Sequence, residues 1–137
     1  MIPEANQPRQ RVHLKFSRIP GPFAVCRLAP DAAMPEWALL GPIFSVTRTA
    51  EELSIVCLRE NLPPEIDAGQ HWTCFKLEGP FAFTQVGILA SFLNPLVENG
   101  IPIFAISTYD TDYVLVSEED AQRALQALQA AGHELRR

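Results

Sequence analysis

Residues 107 to 112 read Ser-Thr-Tyr-Asp-Thr-Asp, which gathers hydroxyls and two carboxylates within six positions. Carboxylates such as Asp110 and Asp112 can hold an ammonium group or a cation. The hydroxyls can bond a ligand or the backbone of their own turn. Apolar runs on either side, Ile101 to Ile106 and Tyr113 to Val116, favour strands, so the polar knuckle reads as a hairpin tip. Thr and Asp are common turn residues, and from this segment alone turn chemistry and ligand contact are both open.

Catalytic patterns do not emerge elsewhere. The sequence has no Gly-x-Ser-x-Gly, no phosphate loop and no zinc-type His and Cys spacing. Asp110 and Asp112 alternate on strand-like sequence and share a face for that reason alone, which does not make them a catalytic dyad. Together with Glu51 and Glu52 they are too few and too scattered to predict a metal site. Cys26, Cys57 and Cys74 are widely spaced in apolar runs and read as buried, reduced thiols, while His13, His71 and His133 form no ligand pair. The expectation is a protein that is not an enzyme, with no metal and no cofactor.

At 137 residues the chain can form one domain or two small fused units, and 47% hydrophobic with 20% charged residues fits a globule with a real core. The net charge of −5 and the lack of basic runs interleaved with aromatics argue against nucleic-acid binding. No stretch is long enough for a membrane span, and the first residues lack a secretion signal, so a cytoplasmic location without membrane contact is expected.

The elements that must position the knuckle follow from pattern. Residues 1–10 read as a flexible tail. Val12, Leu14 and Phe16 alternate in a strand that should end at Pro20-Gly21-Pro22, before a second strand at Phe23 to Leu28. Pro35 opens a short helix. Ile43 to Thr47 and Leu53 to Leu58 read as strands, and the Pro-rich stretch 61–69 as a linker. Trp72 to Leu77 is the next strand, and Thr84 is a plausible cap for a helix running to about Asn99, bent at Pro95 and closed by Gly100. Ser117 with Asp120 resembles a capping box for a last helix bearing Ala121, Ala124, Leu125 and Leu128, and His133 to Leu135 follows as a short strand.

Two stretches repeat. Phe44 to Val56 overlays Phe104 to Val116 without a gap, which sets Thr47 against Ser107 and Glu52 against Asp112, while Phe23 to Leu28 matches Trp72 to Leu77. The repeated order, the Gly87-containing helix start, the Glu98-Asn-Gly-Ile-Pro-Ile junction and the Ser107-Thr108 hairpin resemble the ACT domain, an amino-acid-sensing regulatory module. More closely, the chain is similar to tandem ACT proteins related to the aspartate kinase regulatory region and to the animal cytosolic arginine sensor.

That resemblance implies an α+β fold of two tandem ferredoxin-like βαββαβ units, with antiparallel sheets and helices on one face. Residues 11–68 would form the first, shortened unit and residues 69–137 the second. It implies a small amino acid or related effector held between units or protomers, and a homodimer. Carried onto this sequence, the binding positions are Thr84, Gln85, Val86, Gly87 and Ile88, preceded in their loop by Phe83. The hairpin contributes Thr108, Tyr109 and Asp112, and the first unit Ser45 and Val46. Gln85 stands where an arginine-binding member has an acidic loop, so a strongly cationic ligand is not implied. The competing reading is a structural dimerisation module without a small-molecule ligand.

Overall fold

The computed structural model describes residues 12–81 and 86–137. The expected tail at residues 1–10 and the loop positions Phe83, Thr84 and Gln85 lie outside the described residues. Among the described residues there are seven strands: β1 (Lys15–Leu28), β2 (Ser45–Arg48), β3 (Leu53–Leu58), β4 (Trp72–Leu77), β5 (Phe104–Ser107), β6 (Asp112–Ser117) and β7 (Glu134–Arg136). They are joined by two α-helices, α1 (Ile88–Glu98) and α2 (Ala121–Ala130). No helix among the described residues is long and apolar enough to cross a membrane.

All seven strands belong to one sheet, in the order β2-β3-β1-β4-β6-β5, with β7 parallel to the start of β1. The expectation of a separate antiparallel sheet for each unit is therefore corrected. The cause is β1, which joins the two strands read from the sequence into one of 14 residues. Its first part pairs with β4 and β7, and its second part with β3. Pro20 and Pro22 fall where the pairing with β4 shifts between Ile19 and Phe23, so their missing N–H groups remove no ladder bond there. Strand order reads alike from both ends, with β2-β3 and β6-β5 hairpins flanking the central β1/β4 pair.

Alternation along the strands sorts the core. One face carries Phe16, Phe75, Leu77, Val114 and Val116, against which α1 lays Phe92 and Leu96 and α2 lays Ala124 and Leu128. Phe16 is fully buried, with its ring edge-on to Phe75 at 5.5 Å and to Phe92 at 5.2 Å. On the first half of the same face Cys26, Ile55 and Cys57 pack under Trp37 and Ala38. Trp37 and Ala38 belong to a 3-10 turn, Glu36–Leu39, which replaces the short helix expected after Pro35. Phe23, Val56, Cys74 and Leu115 form a cluster on the opposite face with Trp72, Phe104 and Tyr113, and among the described residues no helix residue takes part. The linker is tied down by Arg59, whose guanidinium donates to the carbonyls of Ala68, Gly69 and Gln70 at 3.2, 2.9 and 3.0 Å.

Helix starts differ from their sequence signals. α1 begins after Gly87, whose φ of +82° is a left-handed conformation that favours glycine. Gly87 is thus the residue before the first turn. α2 is preceded by a 3-10 turn, Glu118–Asp120, and has no side-chain cap. The Asp120 carboxylate pairs instead with Arg123 at 3.0 Å. Gly100 follows α1 as expected and Gly132 follows α2, with φ of +68° and +95°.

Pro95 lies inside α1 and has no N–H for the carbonyl of Ser91 one turn back. A side chain supplies the donor. His133 is buried, and its Nδ1 accepts the Leu14 N–H at 3.0 Å. The proton is therefore on Nε2, which donates to the Ser91 carbonyl at 2.9 Å. Burial lowers the His133 pKa, the bond to Ser91 opposes this, and His13 nearby adds to the lowering.

The neutral ring is therefore the folded form. As pH falls below the ordinary His range the unfolded chain takes up a proton first, so this contribution to stability is present above that range and lost as pH falls through the folded pKa. Thermal unfolding between pH 7.5 and 5 should show a falling midpoint. His133→Leu should be about 2 kcal/mol less stable at pH 7.5, because the Leu14 N–H and Ser91 carbonyl lose buried partners, and should show a flatter pH response.

Candidate functional site

The β5–β6 hairpin is closed by the pair Ser107 and Asp112. The Ser107 hydroxyl donates to Asp112 Oδ1 at 2.5 Å, a charge-assisted bond that fixes the carboxylate at the strand end. Thr108 closes the turn: its N–H donates to the Thr111 carbonyl at 2.8 Å, its hydroxyl to the same oxygen at 3.0 Å, and it accepts the Thr111 N–H at 3.4 Å. For Thr108, turn chemistry accounts for the side chain. Thr111 is buried and its hydroxyl donates to the Leu77 carbonyl at 2.7 Å, fastening the hairpin to the end of β4. Phe81 N–H donates to the Asp110 carbonyl at 2.9 Å. Gly79 makes this closeness possible, since a Cβ there would stand 2.9 Å from the Asp110 carbonyl oxygen.

Between this hairpin and the start of α1 lies a cavity of about 370 Å³, near the lower end of the size range usual for small-molecule sites. One wall is the first turn of α1 with Gly87, Ile88, Leu89 and Ala90. The other is the hairpin from Ser107 to Asp112. The first-turn amides of a helix have no intrahelical acceptor and carry partial positive charge, which suits an anionic group. Asp110 and Asp112 give the opposite wall its negative charge, and Phe81 adds an apolar surface. The arrangement can hold a small molecule with an anionic and a cationic end.

Of the positions carried over from sequence, Gly87, Ile88, Thr108, Tyr109 and Asp112 line this one cavity. Tyr109 is 79% exposed at its rim. Val86 is 72% exposed and does not line it. Thr84 and Gln85 lie outside the described residues. Ser45 and Val46 are on β2, at the opposite edge of the sheet. The sequence reading missed Phe81, Leu89, Ala90 and the fastening role of Thr111. Gly79 was a signal for the last, because a glycine beside a strand end marks close backbone approach.

The buried cysteines belong to the core, not to this site. Burial pushes the Cys57 thiol up to about 11, with Cys26 adding to the rise, and the Cys74 thiol up to about 12. Burial raises Cys26 as well. Thiols held so high are not nucleophiles at neutral pH.

The comparisons with known proteins divide the chain near its middle. A family model for the ACT domain matches residues 67–130, and a separate N-terminal-domain model matches residues 21–65. The crystal structure of protein Atu0741 from Agobacterium tumefaciens is 42% identical with a TM-score of 0.86, over 91% of this chain and 93% of that one. A Vibrio cholerae protein of unknown function, described as a possible transport protein, is 27% identical with a TM-score of 0.71, over 87% and 90%. The aspartate kinase of Clostridium acetobutylicum shares the fold at 12% identity and a TM-score of 0.61, over 93% of this chain and 36% of the kinase.

Thr111→Val should destabilise the fold by about 1–3 kcal/mol, since the Leu77 carbonyl loses its buried donor. Urea unfolding measures the loss. The accompanying amide shift changes should concentrate in residues 107 to 112.

Proposed function

Because the chain belongs to the family of the Agobacterium tumefaciens protein Atu0741 and carries an ACT domain in its second half, we propose that it is a non-catalytic sensor of a small amino acid. The observation that carries this reading is the cavity between the first turn of α1 and the acidic hairpin. The ligand carboxylate meets the amides of Ile88, Leu89 and Ala90, and its ammonium group meets Asp112, held ready by Ser107. Tyr109 flanks the entrance. Carboxylates on one wall and helix amides on the other favour a zwitterion over a simple anion.

In this reading the two halves are tandem ACT-like units, divided near residue 68, that share one sheet through β1 and β4. The like strand order from either end supports it. Ser45 and Val46 sit on the far edge strand, so they would join a site only where a second copy brings its β2 near a cavity. The protein would work as a cytoplasmic homodimer whose association responds to the ligand. The rival reading, a structural dimerisation module, draws on Met34, Leu39, Leu40 and Phe44, large apolar side chains exposed on and beside the approach to β2.

Thermal unfolding against the twenty amino acids at millimolar concentration separates the two. A ligand present at 100 times its Kd adds about 2.7 kcal/mol, a shift of several degrees. Asp112→Asn should remove the response to the active compound. A flat response to every amino acid would overturn the proposal in favour of the structural module, and an undiminished response in Asp112→Asn would overturn the placement of the ligand at the acidic hairpin.

A further inference from the structure

The β2–β3 and β5–β6 hairpins make the same turn. Thr49 N–H donates to the Glu52 carbonyl at 2.9 Å as Thr108 N–H donates to that of Thr111 at 2.8 Å, and the Thr49 hydroxyl accepts the Glu52 N–H as that of Thr108 accepts the Thr111 N–H. The turns therefore superpose one residue away from the overlay drawn on sequence. Arg48, not Thr47, stands where Ser107 stands, and Leu53 takes the position of Asp112. Phe23 pairs with Leu58 as Trp72 pairs with Ser117, which makes the segment Ala29 to Ala32 after β1 the counterpart of Glu78 to Phe81 after β4.

Each hairpin is tied to its segment by different means. In the second half the Asp110 carbonyl accepts the Phe81 N–H at 2.9 Å, and the Ser107 hydroxyl donates to Asp112. In the first half the Glu51 carbonyl, the counterpart of that of Asp110, accepts the Arg27 guanidinium at 2.7 Å. The Arg48 guanidinium donates to the carbonyl of Pro30 and, at 2.6 Å, to that of Ala32. These two oxygens are the counterparts of those of Gly79 and Phe81.

We propose that the first half carries a cation-binding site at its surface, with the carbonyls of Pro30 and Ala32 as acceptors, whose occupant is the chain's own Arg48. A planar guanidinium matches two carbonyls with its fork of donors, so the class of ligand that fits is a guanidinium. Leu53 is fully buried where the second half has a carboxylate, and the two acceptors of Arg48 are backbone oxygens. Arg48 acts as an internal ligand. It joins hairpin to segment in the half that lacks the Phe81 type of backbone tie, and the Arg48 and Leu53 pair sets this half apart from the Ser107 and Asp112 pair of the open cavity.

The test probes the opposite hairpin from the amino-acid cavity and does not rest on that reading. Amide NMR spectra of the full chain, as wild type, Arg48→Ala and Arg48→Ser, are titrated with methylguanidinium at millimolar, non-denaturing concentration. Both variants should show saturable one-to-one shifts at Ala29, Asp31, Ala32 and Thr49 to Leu53. Wild type should bind there about tenfold or more weakly, as expected when a charge-assisted pair of hydrogen bonds is already made. Equal responses in wild type and variants, no saturable shift in either variant, or shifts confined to Tyr109 to Asp112 would each overturn the proposal.

Discussion

The missing N–H of Pro95 is the constraint from which much of the second half follows. A carbonyl left bare inside a helix must find a donor, and the Ser91 oxygen finds the Nε2–H of His133. That ring in turn accepts from Leu14 at the approach to β1. One imidazole thus links the middle of α1, the turn after α2 and the first strand of the sheet. The wall of the candidate cavity is the first turn of that same helix, less than one turn from Ser91. Placement of the cavity wall and placement of β7 along β1 are consequently set together. Phe92, whose ring lies 5.5 Å from that of His133, carries the same link into the core through Phe16.

Sharing of strands explains why the two halves do not separate. β1 is long enough to serve β4 and β7 at one end and β3 at the other, and the pair Phe23 and Trp72 stands at the crossing. Prolines limit the first half to 3-10 turns where the second builds helices, yet Trp37, Ala38, Leu62 and Ile66 still cover its buried cysteines and leucine. Apolar cover is what the core needs, and a regular helix is one of several ways to provide it.

Strands were the most legible elements. Leu53–Leu58 and Trp72–Leu77 were read to the residue because β-favouring runs end at turn formers, so composition and boundary signals agree. Joining across Pro20-Gly21-Pro22 was hidden, since a turn signal and an unpaired irregularity within a strand look the same in sequence. The start of α1 was misread because Gly87 stands in a left-handed conformation just before the first turn, which a search for helix formers and Ser or Thr caps does not find. The hairpin overlay slipped by one residue because matching Phe44 to Phe104 satisfied the apolar pattern, whereas equivalence is set by the turn-closing bonds of Thr49 and Thr108. For the candidate site, Gly87, Ile88, Thr108, Tyr109 and Asp112 line one cavity, whereas Val86, Ser45 and Val46 do not. Thr111 went unseen because its partner, the Leu77 carbonyl, is distant in sequence and close only through the fold.

The two tryptophans sit in separate clusters on opposite faces of the sheet, Trp37 over the buried cysteines of the first half and Trp72 edge-on to Phe104 at 6.4 Å. Each indole is thereby a native optical reporter of a different compartment. Emission from Trp37 follows the cover of the helix-poor half. Emission from Trp72 follows the bare face and, through Phe104, the strand that leads into the acidic hairpin. Single-tryptophan versions of the chain would let fluorescence time those two regions independently, without attaching a dye to any of its deeply protonated thiols.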